Sequence, residues 1–236
     1  MLPWFSGWLD WRAAVYLSIL LPALAALTIV FMPLGLTKAG PMAHQPRLWT
    51  ISRREFWLIL AGGLAWPLMS SGGYVVFSSF APIYLAGQGI AQAEAGFLVS
   101  ILSWLIIVTI PLGGYIVDRT GRGDTAIWAG CLIAAAAIAM IPIGGPVIVW
   151  IVLSAILGIT VGAVMAIPAE ILSANSRATG MGLYYTIYYC GTGGLPAVAG
   201  WLHAATGNVE TAIWFSAICL LLSPVSLMAF RYWQRR

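Results

Sequence analysis

Residues 96–117 read GFLVSILSWLIIVTIPLGGYIV, a run without a single charge, and they lead directly into Asp118-Arg119-Thr120-Gly121-Arg122-Gly123. A bilayer core is crossed by roughly 20 mainly apolar residues in helical form. The run is therefore long enough to span a membrane, and the charged turn marks where the chain meets water again. A second apolar run opens at Thr125. Two membrane helices joined by so short a turn must be antiparallel neighbours, and Gly121 permits the positive φ that such a turn requires.

The same pattern recurs along the chain. Apolar runs bounded by charges and turn residues fall at Ala13–Pro33, Phe56–Phe80, Gly96–Val117, Thr125–Ile143, Val147–Ala169, Gly180–Leu202 and Ala212–Phe230. The second continues to Leu85 through Ala81-Pro82-Ile83, which predicts a tilted span or a partly buried outer segment. Only 8% of the 236 residues are charged, against about 25% in soluble proteins. Hydrophobic residues make up 61%, and mean hydropathy is +0.94. Seven spans with short connections use almost the whole length. The expectation is an all-α polytopic membrane protein with about seven transmembrane helices embedded in the lipid bilayer.

Charge placement sets the expected orientation. Lys38, Arg47, Arg53, Arg54, Arg119, Arg122, Arg177, Arg231, Arg235 and Arg236 all fall on one set of alternate loops, leaving only Arg12 on the other. Positive residues of short loops prefer the cytoplasm, so the C-terminus is expected there and the N-terminus outside, in a plasma (inner) membrane. The net charge of +4 then needs no anionic partner. Nucleic acid is excluded, because a basic patch that binds it must face water. Cys131, Cys190 and Cys219 sit in apolar runs without a Cys-x-x-Cys pair. No disulfide or metal site is read from them, and nothing in the sequence calls for a cofactor. Met1 to Asp10 lacks the basic start of a secretory signal, so the first run is read as a retained helix. The segment from Gly35 to Arg54, with Gly40, Pro41, His44 and Pro46, reads as a hydrated linker. It divides the chain into a lone span (1–34), a linker (35–54) and a six-helix bundle (55–236).

The turn after residue 117 resembles the cytoplasmic loop signature of the major facilitator superfamily, Gly-x-Leu-Ala-Asp-Arg-x-Gly-Arg followed by Arg or Lys. Gly114, Asp118, Arg119, Gly121 and Arg122 match in register, Ile116 replaces Leu, and Gly123 departs at the last basic position. Trp11-Arg12, preceded by Gly7, looks like the Gly-Trp-Arg entrance to this superfamily's sixth helix. Glu170 followed by Arg177-Ala178-Thr179-Gly180 looks like its tenth-to-eleventh helix junction. Their order along the chain implies the sixth to twelfth helices, with the first five absent. It implies two inverted three-helix repeats in the bundle, with the second, third, fifth and sixth spans facing a central cavity and the fourth and seventh facing lipid. It further implies alternating access by a transporter of a small-molecule solute, with the missing N-terminal half as a partner. On this reading the chain alone does not transport.

Two groups of site residues follow. Asp118, Arg119, Arg122, Glu170 and Arg177 lie at the expected cytoplasmic ends, where acids are not needed for topology. They read as a charge network that latches one state, and the resemblance implies that Arg122 pairs with Glu170. Asp118 is also suited to accept hydrogen bonds from exposed helix-end amides. The second group is polar and aromatic. In the sixth span Tyr184 and Tyr188 share a face, with Tyr185 and Tyr189 beside them. In the second, Trp66-Pro67 and Gly72-Gly73 soften the helix and make Ser71, Tyr74 and Ser78 cavity candidates, joined by Ser100 and Trp104 of the third. Packing by small residues is the plain alternative for the serines, and packing is the reading for Gly158-x-x-x-Gly162. No Asp, Glu, Lys, Arg or His lies mid-span, which leans away from a strongly charged solute.

Rival classes fit less well. The two histidines offer no credible catalytic pair within the membrane, so an enzyme is not expected. A seven-helix receptor matches the span count, but a retinal-binding version needs a lysine in the last helix and the only lysine, Lys38, lies in a loop. The repeat pattern and the Asp118 turn also favour a transporter. A non-transporting truncated fragment is the third reading.

Overall fold

The computed structural model describes residues 51–173 and 175–236, and before them Tyr16, Ile19, Leu20, Ala23, Leu24, Ala26, Leu27 and Thr28, all helical. Most of the first expected span, the Trp11-Arg12 stretch and the linker with Lys38 and Arg47 lie outside the described residues. By internal contacts the chain divides into two units, Met1–Arg47 and Leu48–Arg236. The second unit is a bundle of six helices: α1 (Arg53–Gly87), α2 (Gln92–Thr120), α3 (Gly123–Ile143), α4 (Val147–Ile171), α5 (Arg177–Thr206) and α6 (Glu210–Gln234). No strand occurs among the described residues.

All but α5 are long and apolar enough to cross a membrane by length and composition. At 30 residues α5 is long enough, but four tyrosines and six glycines dilute its apolar content. The helices outrun their apolar cores because local caps extend them. Ser52 opens α1 with a capping box: its hydroxyl accepts from the Glu55 amide (3.1 Å) and the Glu55 carboxylate accepts from the Ser52 amide (2.8 Å). Gly121 ends α2 at φ +65°, a left-handed conformation that glycine adopts without a Cβ penalty. The 35 residues of α1 amount to about 50 Å of helix, well over the ~30 Å of a bilayer core. Its far end is not free, since Ala81 and Leu85 are both buried.

Packing follows an internal two-fold pattern. Exchanging α1–α3 with α4–α6 maps the contacts onto themselves: α2 packs on α4 as α5 packs on α1, α3 on α4 as α6 on α1, and α3 meets α6. A shift of three helices reverses helix direction, so the repeats are inverted. Close approach depends on small residues, as expected where lipid removes the hydrophobic drive between helices. A Cβ on Gly113 would overlap the backbone of Ile159 in α4, and one on Gly191 of α5 would overlap Pro67 of α1. Gly158 lies against Thr109 and Ile110, and Gly162 lies against Gly114, so this glycine pair is the packing face its spacing predicts.

The starts of α1, α3 and α5 and the ends of α2, α4 and α6 share one pole, where every described arginine lies. The opposite pole carries Glu94 and Glu210, with no Lys or Arg among the described residues.

Candidate functional site

Two helices are interrupted, and they are the symmetry-related pair α1 and α4. In α1, Leu68–Val75 forms a π-helix. The sequence there, Ser70-Ser71-Gly72-Gly73, lacks the bulky side chains that stabilise regular turns, and Pro67 withholds an amide just before it. In α4 the regular helix stops at Ser154 and resumes at Leu157. The fifth span expected at Val147–Ala169 is thus present as Val147–Ile171, with this break inside it. Interruptions at corresponding places in two transporter repeats mark where backbone groups line a cavity, and π-segments gather at functional sites.

Hydroxyls from neighbouring helices satisfy the loosened backbone. Along one face of α6, Ser216 donates to the Gly73 carbonyl (2.7 Å), Ser223 to Ala65 (2.8 Å) and Ser226 to Ala61. At the other break Thr109 of α2 donates to the carbonyl of Ala155 (2.9 Å). These bonds hold the interruptions open as defined structure without filling the space between the helices.

That space is a cavity of about 250 Å³. It is lined by Trp66, Met69, Ser70 and Tyr74 of α1, Ile106 and Ile110 of α2, Leu157, Gly158, Val161 and Met165 of α4, and Tyr188 of α5. All four helices that the resemblance assigns to a central cavity contribute, while α3 and α6 do not. The Tyr74 hydroxyl is engaged by Ser103 (2.9 Å). Those of Ser70 and Tyr188 form no hydrogen bond among the described residues, which leaves them available to a bound molecule.

The wall on the α5 side is an aromatic cluster around Trp66, whose ring stacks on Tyr188 (4.0 Å between centroids) and Tyr184 (5.5 Å) and meets Tyr185 edge-on (5.3 Å). Tyr184 is core: it is buried, and its hydroxyl donates to the Val164 carbonyl across the α4 interface (2.7 Å). Tyr189 is 65% exposed and packs on Tyr185 and Tyr188. Of the four tyrosines, only Tyr188 lines the cavity.

The serine candidates mostly take packing roles. Ser71 is fully buried and bonded to Thr192 of α5 (2.8 Å), while its neighbour Ser70 faces the cavity. Trp66, Ser70 and Tyr74, spaced four residues apart, share the cavity face. Ser78 and Ser100 bond carbonyls of their own helices, those of Val75 (3.1 Å) and Gly96 (2.7 Å). Trp104 is exposed and lines no part of the cavity.

The arginine-rich pole has a different hub from the expected one. Glu170 pairs with Arg231 near the end of α6, not with Arg122, and the same guanidinium holds Asp124 at the start of α3 (2.6 and 2.7 Å). One arginine thus ties the ends of α3, α4 and α6 together. Arg122 borders the same cleft, and Arg119 lies over the Tyr115 ring (4.9 Å). Asp118 forms no hydrogen bond among the described residues. The Thr120 hydroxyl, not Asp118, accepts from the Arg122 amide (3.3 Å). Gly114 stands where an added Cβ would meet nothing, and Arg177 starts α5, exposed. A second tie runs through Glu55, which accepts from the Ser176 hydroxyl (2.8 Å) and so joins the start of α1 to the α4–α5 turn. The Ser52-x-x-Glu55 capping signature was legible; Arg231 and Asp124 carried no signal beyond lying in the last and first turns of their helices.

Comparison with known proteins agrees with this architecture. None of the curated proteins matches the chain. A bacterial homologue of the iron transporter ferroportin, solved in its outward-facing state, shares the fold at a TM-score of 0.54 and 19% identity; the match covers 78% of this chain and 46% of that one. The chain thus spans about half of that structure. The family model described as Major Facilitator Superfamily matches residues 1–173 and 68–236, and on that coverage the chain belongs to the major facilitator superfamily.

Proposed function

We propose that this chain is the C-terminal part of a secondary transporter that moves a small, uncharged, largely apolar solute by alternating access. On this reading residues 1–34 are the sixth helix, 35–54 the central linker and 55–236 the second bundle, which works against a first bundle. The observation that carries the reading is the cavity between the two interrupted helices. Its walls are aromatic, thioether and aliphatic, with two available hydroxyls and no ionised group among the described residues. A charged solute left there without a counter-charge is strongly disfavoured. Methionines at 69 and 165 suit a site that adapts to shape. Iron, the substrate of ferroportin, finds no carboxylate, imidazole or thiolate in this lining.

We read the arginine-rich pole as cytoplasmic, by the preference of short loops for positive charge. The ties made by Arg231 and Glu55 then sit on the inner face, with Asp118, Arg119, Arg122 and Arg177 around them. In this scheme the network holds the inner side closed while the cavity faces outward. Asp118, with no partner among the described residues, is available to the other bundle.

Flux measurements test the proposal. Membrane vesicles holding the complete transporter should exchange an uncharged aromatic solute in preference to its carboxylated or quaternary-ammonium analogue. Val161→Trp, which fills the cavity, should abolish the exchange. The pure reconstituted chain should show no flux. Exchange of only the charged analogue, or full activity in Val161→Trp, would overturn the proposed site.

A further inference from the structure

At the arginine-rich pole, the start of α1 and the end of α6 enclose a second groove, distinct from the solute cavity, with a volume of about 520 Å³. Among the described residues, Arg54, Trp57, Leu58, Trp233 and Arg236 line it. Two guanidiniums from different helices face one space bordered by two indoles that are each nearly half exposed. Arg54 is oriented by donating to the Gln234 carbonyl (3.0 Å), which ties the two helix ends together, and Arg236 lies over the Tyr232 ring (4.5 Å).

The nearby acids are committed elsewhere. Glu55 turns to Ser52, Ser173 and Ser176, while Asp124 and Glu170 both pair with Arg231. The groove therefore presents two guanidiniums, with no acidic side chain among its described lining residues, beside an apolar, tryptophan-edged wall at the level where an embedded helix leaves the hydrocarbon. Its two chemistries match the two parts of one molecule: phosphate oxygens for the guanidiniums and acyl carbons for Trp57, Leu58 and Trp233.

We propose that this groove binds the headgroup of an anionic phospholipid, with the acyl chains running down along α1 and α6. The bound lipid bridges Arg54 and Arg236 and strengthens the link between the first and last helices of the bundle.

Native mass spectrometry of the full chain, exchanged into detergent with equimolar dioleoyl phosphatidylglycerol and phosphatidylcholine, tests this. The wild-type chain should retain the anionic lipid in preference by on the order of tenfold, given the attraction expected of two arginines near the surface. Arg54→Gln with Arg236→Gln should bring retention of the two lipids to parity. Because Arg54 also anchors Gln234, Arg236→Gln alone, which spares that bond, should lower the preference in a chain whose melting temperature without lipid is unchanged. Arg54→Lys with Arg236→Lys should keep most of the preference. Equal retention of both lipids by the wild type, or an undiminished preference in the double glutamine variant, would overturn the proposal. Displacement of the lipid by millimolar inorganic phosphate at constant ionic strength would also overturn it, by making the site one for free phosphate.

Discussion

Helices α1 and α4 occupy equivalent places in the two repeats, and both are interrupted near the cavity, yet they are secured differently. The interruption in α1 is a widened turn, buried at Ser71, Gly72 and Gly73, and three serines of α6 bond carbonyls along that helix. The interruption in α4 is a gap between two helical pieces, where a single threonine of α2 takes one carbonyl. At the charged pole the balance reverses. There α4 is held by Glu170 to Arg231, while α1 relies on Glu55 and the hydroxyls of the α4–α5 turn. The symmetry is therefore one of placement. What recurs is a loosened helix beside the cavity; the groups that support it differ between the repeats.

Substitutions in each support should separate the two helices. Gly113→Val should have the largest effect, about 3 kcal/mol or more, since its side chain would collide with the α4 backbone at Ile159, which has no rotamer with which to yield. Unfolding by sodium dodecyl sulfate titration reads that loss, and wild-type stability would mean that α2 and α4 are not in backbone contact. Arg231→Gln comes next, at roughly 1–2 kcal/mol, because it releases two carboxylates from one guanidinium that is itself three-quarters covered. The loss should shrink at high salt, as screening weakens the wild-type pairs. A salt-independent loss would point to packing in place of charge.

Removing hydroxyls probes the two interruptions more finely. Ser216→Ala with Ser223→Ala should destabilise the chain by about 1 kcal/mol, and Thr109→Val by roughly half of that, at ~0.6 kcal/mol for each interhelical bond in a membrane. An equal or larger loss from Thr109→Val would mean that the break in α4 is the more strained of the two.

Most of the architecture was legible in the sequence because it follows from long-wavelength features. The apolar runs, the alternation of arginines and the Asp118 to Arg122 turn each report on where the chain enters and leaves a membrane. Side-chain direction was harder to read. The softened, polar stretch of α1 singled out Ser71, Tyr74 and Ser78, but which of the adjacent serines reaches the cavity is set by the helices packed around it: Ser71 meets Thr192 of α5, and Ser70 lines the cavity. The tyrosines of α5 were visible as a cluster, but Trp66, from a helix distant in sequence, sorts them into core, wall and surface. Arg231 shows the same limit at the charged pole. Nothing local distinguishes it from Arg235 or Arg236; only the arrival of α3 and α4 beside it gives it two carboxylates.

The proposed function stands or falls on whether the space between the interrupted helices takes an uncharged, apolar solute. Photolabelling with benzophenone, a neutral aromatic ketone, followed by peptide mapping decides this. Labelling at Met69 or Met165 should saturate, should be lost in Val161→Trp, and should be displaced by naphthalene but not by naphthoate at equal concentration. Labelling that does not saturate, that maps to the lipid-facing surface, or that naphthoate displaces as well as naphthalene does, would refute the site.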